Sequence, residues 1–432
     1  MIKLTSRRAA IVLAGSALTL VAGLVPAQAA TTGWRTEATF AVRGKASIVT
    51  GVAASSASDA WATGFSAKAK GNSLPQPIIR HWSGNAWRSV TLPAKIAKRW
   101  ASQAPALTVV GVASARSVWL FNAFQGSYLR LNGSRWSLGQ LPGVSEKSGA
   151  FVEVDAVKVF SGTDVWAFGD RITISATQVA SAPYAARYDG RKWATVTVPG
   201  LPSGGGAIAA VAAVSASDIW AVESPDSSSG PAALAASNPA VVKSALAASP
   251  AARLAAGRLR DEATSAAAAP VVVQWTSSAG WQDAAQQPFT ASDQVTSGLA
   301  EPNGDVWFGG SAGNSANGTS PLTAEWNGTG WSVADLPGKA SSADVPVAAM
   351  APDGTGGIWA LTVNDSAEVD RIWHRHGTTW SEVKPAFGKH RWELIALALV
   401  PRTHSVWGVG GVQGSSKSSV NQLIAIDGRL PR

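Results

Sequence analysis

The chain has 432 residues, a formal charge of +9, no cysteine and only 15% charged side chains, with apolar residues at 46%. That balance excludes an intrinsically disordered protein, and the lack of cysteine excludes disulfides, thiolate metal centres and a lipoprotein anchor. With 43 Gly and 23 Pro, the composition fits a folded, turn-rich, mostly β chain.

Residues 1–29 read as a secretory signal peptide. Lys3, Arg7 and Arg8 form its positive start, Ile11 to Leu24 its apolar core, and Ala27-Gln28-Ala29 its A-x-A cleavage site. The apolar run ends at Pro26 and is too short for a membrane span. Ser6-Arg7-Arg8 is similar to a twin-arginine signal, but Ala9-Ala10-Ile11 follows, so the general secretory route is at least as well supported. The expected product is extracellular and has no membrane anchor. Without the three leader cations it carries 33 Lys and Arg against 27 Asp and Glu. Such a mild excess of positive charge gives no reason to expect nucleic acid as a partner.

From residue 31 onward one pattern dominates. SASDAWATG (Ser56 to Gly64), SGTDVWAFG (Ser161 to Gly169) and SASDIWAVE (Ser215 to Glu223) place a small-polar turn before a tryptophan. Weaker copies carry Trp119, Trp307, Trp359 and Trp407. Each is followed by a second motif, such as RLNGSRWSLGQLP (Arg130 to Pro142) or EWNGTGWSVADLP (Glu325 to Pro337). The unit reads as four strands: a small, β-branched strand, the Ser-x-Ser-Asp turn, the strand with the first Trp, a variable loop, a third strand, and an Asn-Gly or Asp-Gly hairpin into a fourth. Repeated around a ring, four antiparallel strands make a β-propeller blade.

Counting fixes the number of blades. There are seven first-type Trps but only six second-type partners along that register: Trp87, Trp136, Trp193, Trp281, Trp331 and Trp380. The missing strand is found in TTGWRTEATF, Thr31 to Phe40, where Trp34 matches Trp331. The expected fold is therefore all-β, a seven-bladed propeller over residues 31–432, closed by the N-terminal strand completing the last blade. The seven first-type Trps are expected between blades, as core.

The interval from Trp220 to Trp281 is more than double that of any other repeat. The excess, 224–269, is an Ala-rich insertion within blade four with a Ser-Gly-Pro start. Ser249 and Pro250 can begin a helix there. Few of its side chains exceed Ala, so it reads as a solvated, partly helical excursion.

The repeats resemble kelch and galactose-oxidase-type propellers, whose second strand tends to end in Gly-Gly and whose fourth carries a Trp shortly before Pro. Trp307-Phe308-Gly309-Gly310 and Trp407-Gly408-Val409-Gly410-Gly411 carry that resemblance. They also resemble secreted actinobacterial propellers of unassigned function. Galactose oxidase itself implies a copper radical site with a Cys-linked Tyr. This chain has no Cys and only Tyr128, Tyr184 and Tyr188, so that activity does not carry over and no cofactor is expected.

No contiguous catalytic motif emerges. GGSAG, Gly309 to Gly313, matches a nucleophile-elbow string but follows a propeller strand rather than joining strand to helix. His374 and His376 share a strand face without a third metal ligand. The expected function is a secreted, monomeric, non-enzymatic binding propeller for an anionic glycan, another cell-envelope polymer or a protein. The alternative is an extracellular hydrolase or lyase with its site on the long-loop face. Two links entering blades two and seven end in Lys98-Arg99-Trp100 and His390-Arg391-Trp392. Cation beside indole suits an acidic saccharide, so these six residues are the candidate ligand-binding site.

Overall fold

The computed structural model describes residues 33–68, 75–101, 107–122, 125–145, 149–174, 179–201, 205–225, 268–314, 318–337, 345–363, 370–414, 420–428 and 430. The expected leader, 1–29, and all but the ends of the insertion 224–269 lie outside the described residues.

Seven antiparallel sheets of four strands form the chain, each paired in the order first, second, third, fourth. Blade one runs Ala46–Ser56, Asp59–Ala67, Gln76–Trp82 and Trp87–Ser89. Blade three begins with Ala150–Ser161 and Asp164–Ile174. Blade four comprises Ala207–Ser215, Asp218–Ser224, Val271–Thr276 and Gly280–Asp283, and blade five Gln294–Ala300, Val306–Asn314, Gly318–Trp326 and Trp331–Asp335. Blade seven takes Trp392–Leu399, Val406–Gln413 and Val420–Asp427 from the C-terminal end and Arg35–Phe40 from the N-terminal end. Arg35 faces Ile426 and Phe40 faces Gln422 in that last ladder, so the ring closes as the repeat count requires.

Turn chemistry explains the short connections. Ser161 Oγ accepts the Thr163 N–H at 3.1 Å and Ser215 Oγ accepts that of Ser217 at 3.2 Å. In the outer hairpin of blade five, Asn327 Oδ1 accepts the N–H groups of Thr329 (3.0 Å) and Gly330 (3.1 Å). Inner strands are close-packed against second strands. A Cβ at Gly310 or Gly410 would stand 1.7 Å from the Gln294 carbonyl oxygen or 1.9 Å from that of Glu393. Steric contact, independently of ancestry, thus demands these glycines.

The core lies between blades. Each first-type Trp projects into the interface with the following blade, where in six of the seven a second-type Trp meets it within ring-contact distance. Trp61 meets Trp136 (6.1 Å between centroids), Trp119 meets Trp193 (5.4 Å), Trp166 meets Trp281 (6.4 Å), Trp220 meets Trp331 (6.0 Å) and Trp407 meets Trp87 (5.0 Å), all edge to face. Trp34 takes the same role, 5.5 Å from Trp359 at 86°. In the fifth interface Trp307 and Trp380 share one apolar cluster. Each such pair adds about 0.5–1.5 kcal/mol to what burial of the rings contributes.

Trp34 is 1% exposed, and its carbonyl also accepts the Ala386 N–H at 2.8 Å, tying the N-terminal strand to the preceding blade link. Trp34→Ala should lower stability by about 3–5 kcal/mol, as for other buried aromatics. Urea denaturation should show this as a lower midpoint at unchanged slope. Wild-type behaviour of the variant would remove Trp34 from the closure.

Candidate functional site

A first-type Trp has two faces to cover, and the third strand covers one of them. The residue directly across the ladder is His81 for Trp61, Arg130 for Trp119, Arg187 for Trp166 and His374 for Trp359. The two imidazoles stack at 4.3 Å and 4.1 Å, and the guanidinium groups of Arg130 and Arg187 lie 4.5 Å and 5.4 Å from their rings. Three of these caps are held by carboxylates. His81 Nε2 bonds Asp59 at 2.8 Å, Arg187 forks onto Asp164 with two bonds of 2.9 Å, and His374 Nε2 bonds Asp353 at 2.9 Å. Burial pushes the Asp353 carboxyl up, but hydrogen bonds from His374, Thr355 and Gly357 outweigh it and hold the group below its ordinary value. The Asp of the Ser-x-Ser-Asp turn therefore reaches across to the third strand in blades one and three.

Blade four breaks this arrangement. Asp218 and Trp220 occupy the usual positions, but the residue across from Trp220 is Gln274. Its amide Nε2 donates to Asp218 Oδ1 at 2.8 Å, and among the described residues no cation covers the ring. Between this group and blade five lies a crevice of about 430 Å³, lined by Asp218, Trp220, Gln274, Asn303, Asp305, Trp326 and Asn327, with Gly304 and Gly328. Trp220 and Trp326 stand 5.5 Å apart and tilted by 38°. Asp305 is held from within its own turn by Asn303, whose Nδ2 donates at 2.6 Å. The crevice opens on the face of the tight turns, opposite the long loops.

A second cluster sits in blade three. Glu153 on the first strand faces Asp170 on the second, and Asp155 stands at the bulge between Val154 and Ala156. Asp155 and Asp170 are 5% and 1% exposed, and neither Asp170 oxygen has a hydrogen-bond partner among the described residues. Burial, then mutual repulsion, pushes Glu153 well above the usual carboxylate range, and burial and Asp170 do the same to Asp155. Asp170 is likewise raised by burial. Lys158 on the same strand is lowered to about 8 by desolvation, though it keeps partial exposure. In blade four, burial lifts Glu223 to about 7. Of these raised carboxyls, Asp155, Asp170 and Glu223 are buried, whereas Glu153 is half-buried. Among the described residues, no three His, Asp or Glu side chains converge as metal ligands. Reading the inner strands as small and β-branched missed this cluster. The signal was present in AFVEVDAVKVF, which puts three acids or bases close together on one inner strand.

The six sequence-derived candidates divide by burial. Lys98, Arg99 and Trp100 lie on the helix Ala94–Ala101 in the link from blade one to blade two. Trp100 is fully buried among Trp61, Ile79 and Leu129, so its ring serves packing. Trp392 is half-buried, edge to face with Phe387 at 5.0 Å. Lys98, Arg99, His390 and Arg391 are exposed. Nothing in the repeats singled out the crevice, because Gln274 lies in the degenerate copy QWTSSAGWQDA.

No protein-family model matches the chain, and no curated protein matches it in sequence. Solved structures resemble it at low identity. A catalytically inactive virginiamycin B lyase from Staphylococcus aureus, with quinupristin, aligns at 10% identity over 91% of this chain and 99% of its own, with a TM-score of 0.49. The polysaccharide lyase Uly1 aligns at 9% identity over 91% and 99%, TM-score 0.48. The SapL1 lectin with α-methyl fucoside aligns at 12% over 71% and 90%, TM-score 0.38.

The buried acids fix a pH dependence. Glu223 has a folded pKa above its unfolded value, so the unfolded state ionises first as pH rises. Stability is greatest below about 4.5 on this account and is lost progressively up to about pH 7. Lys158 acts in a separate window, above about pH 8. Glu223→Gln should therefore flatten the decline between pH 4.5 and 7 by about 1–3 kcal/mol. Thermal melts across that range read the effect, and parallel curves for variant and wild type would contradict it.

Proposed function

We propose that this chain is a non-catalytic propeller that binds glycan. The observation that carries this reading is the crevice between blades four and five. Two indole rings meet there with three side-chain amides and two carboxylates, in a volume suited to a small ligand. An indole face packs against the C–H face of a sugar ring, and planar polar groups around it bond hydroxyls in pairs. The burial of Asp155, Asp170 and Glu223 favours binding over hydrolysis or lyase chemistry, since a catalytic acid must touch its substrate. The leader-like residues 1–29 support export, and the fourth-strand Trp shortly before Pro, as in Trp136 to Pro142 and Trp331 to Pro337, supports a kelch-type lineage. On the opposite face, the exposed Lys98, Arg99, His390 and Arg391 supply a second contact for acidic segments of an envelope polymer.

Binding of isolated cell-wall polysaccharides and a panel of oligosaccharides should be measured by calorimetry at low and physiological salt. Trp326→Ala should weaken saccharide binding about tenfold, the loss expected for one ring stack. A Lys98, Arg99, Arg391→Ala triple variant should lose only salt-sensitive binding to acidic polymers. Wild-type affinity in the Trp326 variant, with the fold intact, would overturn the crevice as the site. Equal polymer binding by the triple variant would overturn the loop-face contact.

A further inference from the structure

Across the ring, the cap over a first-type Trp is a recurring seat for a base. His81, Arg130, Arg187 and His374 fill it from their own blades. In the fifth interface Arg375 of blade six lies 4.4 Å from the Trp307 ring and bonds Glu325 at 3.2 Å. The seventh interface has neither partner: Ile426 stands across from Trp407, and Ser405 replaces the turn acid. Trp82 and Trp87 pack on Trp407 instead. Among the described residues, only blade four has both the acid and the indole with an uncharged residue in the seat. There, Asp218 and Asp305 line an open crevice whose described walls carry no cationic side chain, and among the described residues neither acid forms a salt bridge.

From this open seat we infer that the blade-four/five crevice takes a ligand that brings its own cation, an amino sugar with a free ammonium group. The inference rests on the glycan-binding reading and names the class of saccharide. An ammonium over Trp220 and beside Asp218 repeats what Arg187 does over Trp166 beside Asp164. Attraction to the ring and to the carboxylate act together there. The rest of the sugar meets Trp326, and its hydroxyls meet the amides of Gln274, Asn303 and Asn327. Their presence distinguishes the crevice from a plain seat for a lysine side chain. An N-acetylated sugar lacks the charge and adds a bulky neutral group where the cation belongs, and an acidic sugar meets two like charges.

The test uses the full chain and four probes: a glucosamine tetramer, its fully N-acetylated counterpart, a neutral glucose tetramer, and lysine amide blocked at its α-amine. The glucosamine tetramer should bind at least tenfold more tightly than each of the others. Asp218→Asn should lower its affinity about tenfold, the loss of one charge-assisted contact. Gln274→Arg should fill the seat from within, abolish tetramer binding, and raise the melting temperature by rebuilding the blade-three clamp. Should Gln274→Arg fail to fold, Asp218→Asn alone decides. Equal binding of the glucosamine and N-acetylated tetramers, with both lost in Trp326→Ala, would overturn the ammonium inference and leave the glycan reading standing. Binding of lysine amide as tight as that of the tetramer, with no saccharide preference, would overturn both. Wild-type binding by Asp218→Asn would overturn the charged seat.

Discussion

Everything in this molecule hangs on one contact, the edge-to-face meeting of a tryptophan from one blade with a tryptophan from the next. A single four-stranded sheet has two apolar faces and no means of burying either alone. The first-type Trp solves this by projecting from the second strand into the neighbouring blade, where the second-type Trp receives it. The contact recurs in six of the seven interfaces, and in the fifth Trp307 and Trp380 share one apolar cluster instead, so the series propagates until it must close. Trp34 against Trp359 is that closure, supplied by the opposite end of the chain. Ring closure also protects the outer ladder, since the last C-terminal strand would otherwise leave its edge unpaired.

The same contact leaves each indole with a second face near the turn side of the ring. Polar side chains, not aliphatic ones, cover most of these faces, and the covering group is usually anchored by a carboxylate of the same blade. Such a cap closes the wedge between blades while keeping its charge paired. Replacing a base with Gln274 keeps the hydrogen bond to Asp218 but shortens the reach and removes the charge. The wedge then stays open. A crevice has here been made by omission, at a position that elsewhere carries a polar cap.

Buried carboxylates in blades three and four follow a different logic. Asp170 and Glu223 are buried, and desolvation raises both carboxyls to about 7. Their neighbourhood in the interface makes this part of the ring weaker as pH rises, whereas the blade-six clamp depends on the charged form of Asp353, which its hydrogen bonds hold below its ordinary value. One propeller thus contains interfaces with opposed responses to pH.

Much of the fold was written in the sequence. A tryptophan is large enough that its spacing survives as a visible period even where flanking residues drift. The excess of one second-strand Trp over its fourth-strand partners, with Trp34 left over at the start, was enough to assign seven blades and their closure. The Ser and Asn turns were legible for a related reason, because their side chains act on backbone two or three residues away. The crevice was not legible, nor was the role of Asp59 or Asp164 as a clamp. Those depend on which residue stands across a ladder, on whether the next blade fills the wedge, and on burial. Trp100 shows the limit most plainly: beside Lys98 and Arg99 it reads as a ligand contact, yet its ring is wholly enclosed. Local chemistry and periodicity are properties of the chain, and the sequence determined what followed from them. Burial and cap positions belong to pairs of blades distant in sequence, and only their packing decided which indoles lie under a cation and which, like the 7% exposed Trp220, does not.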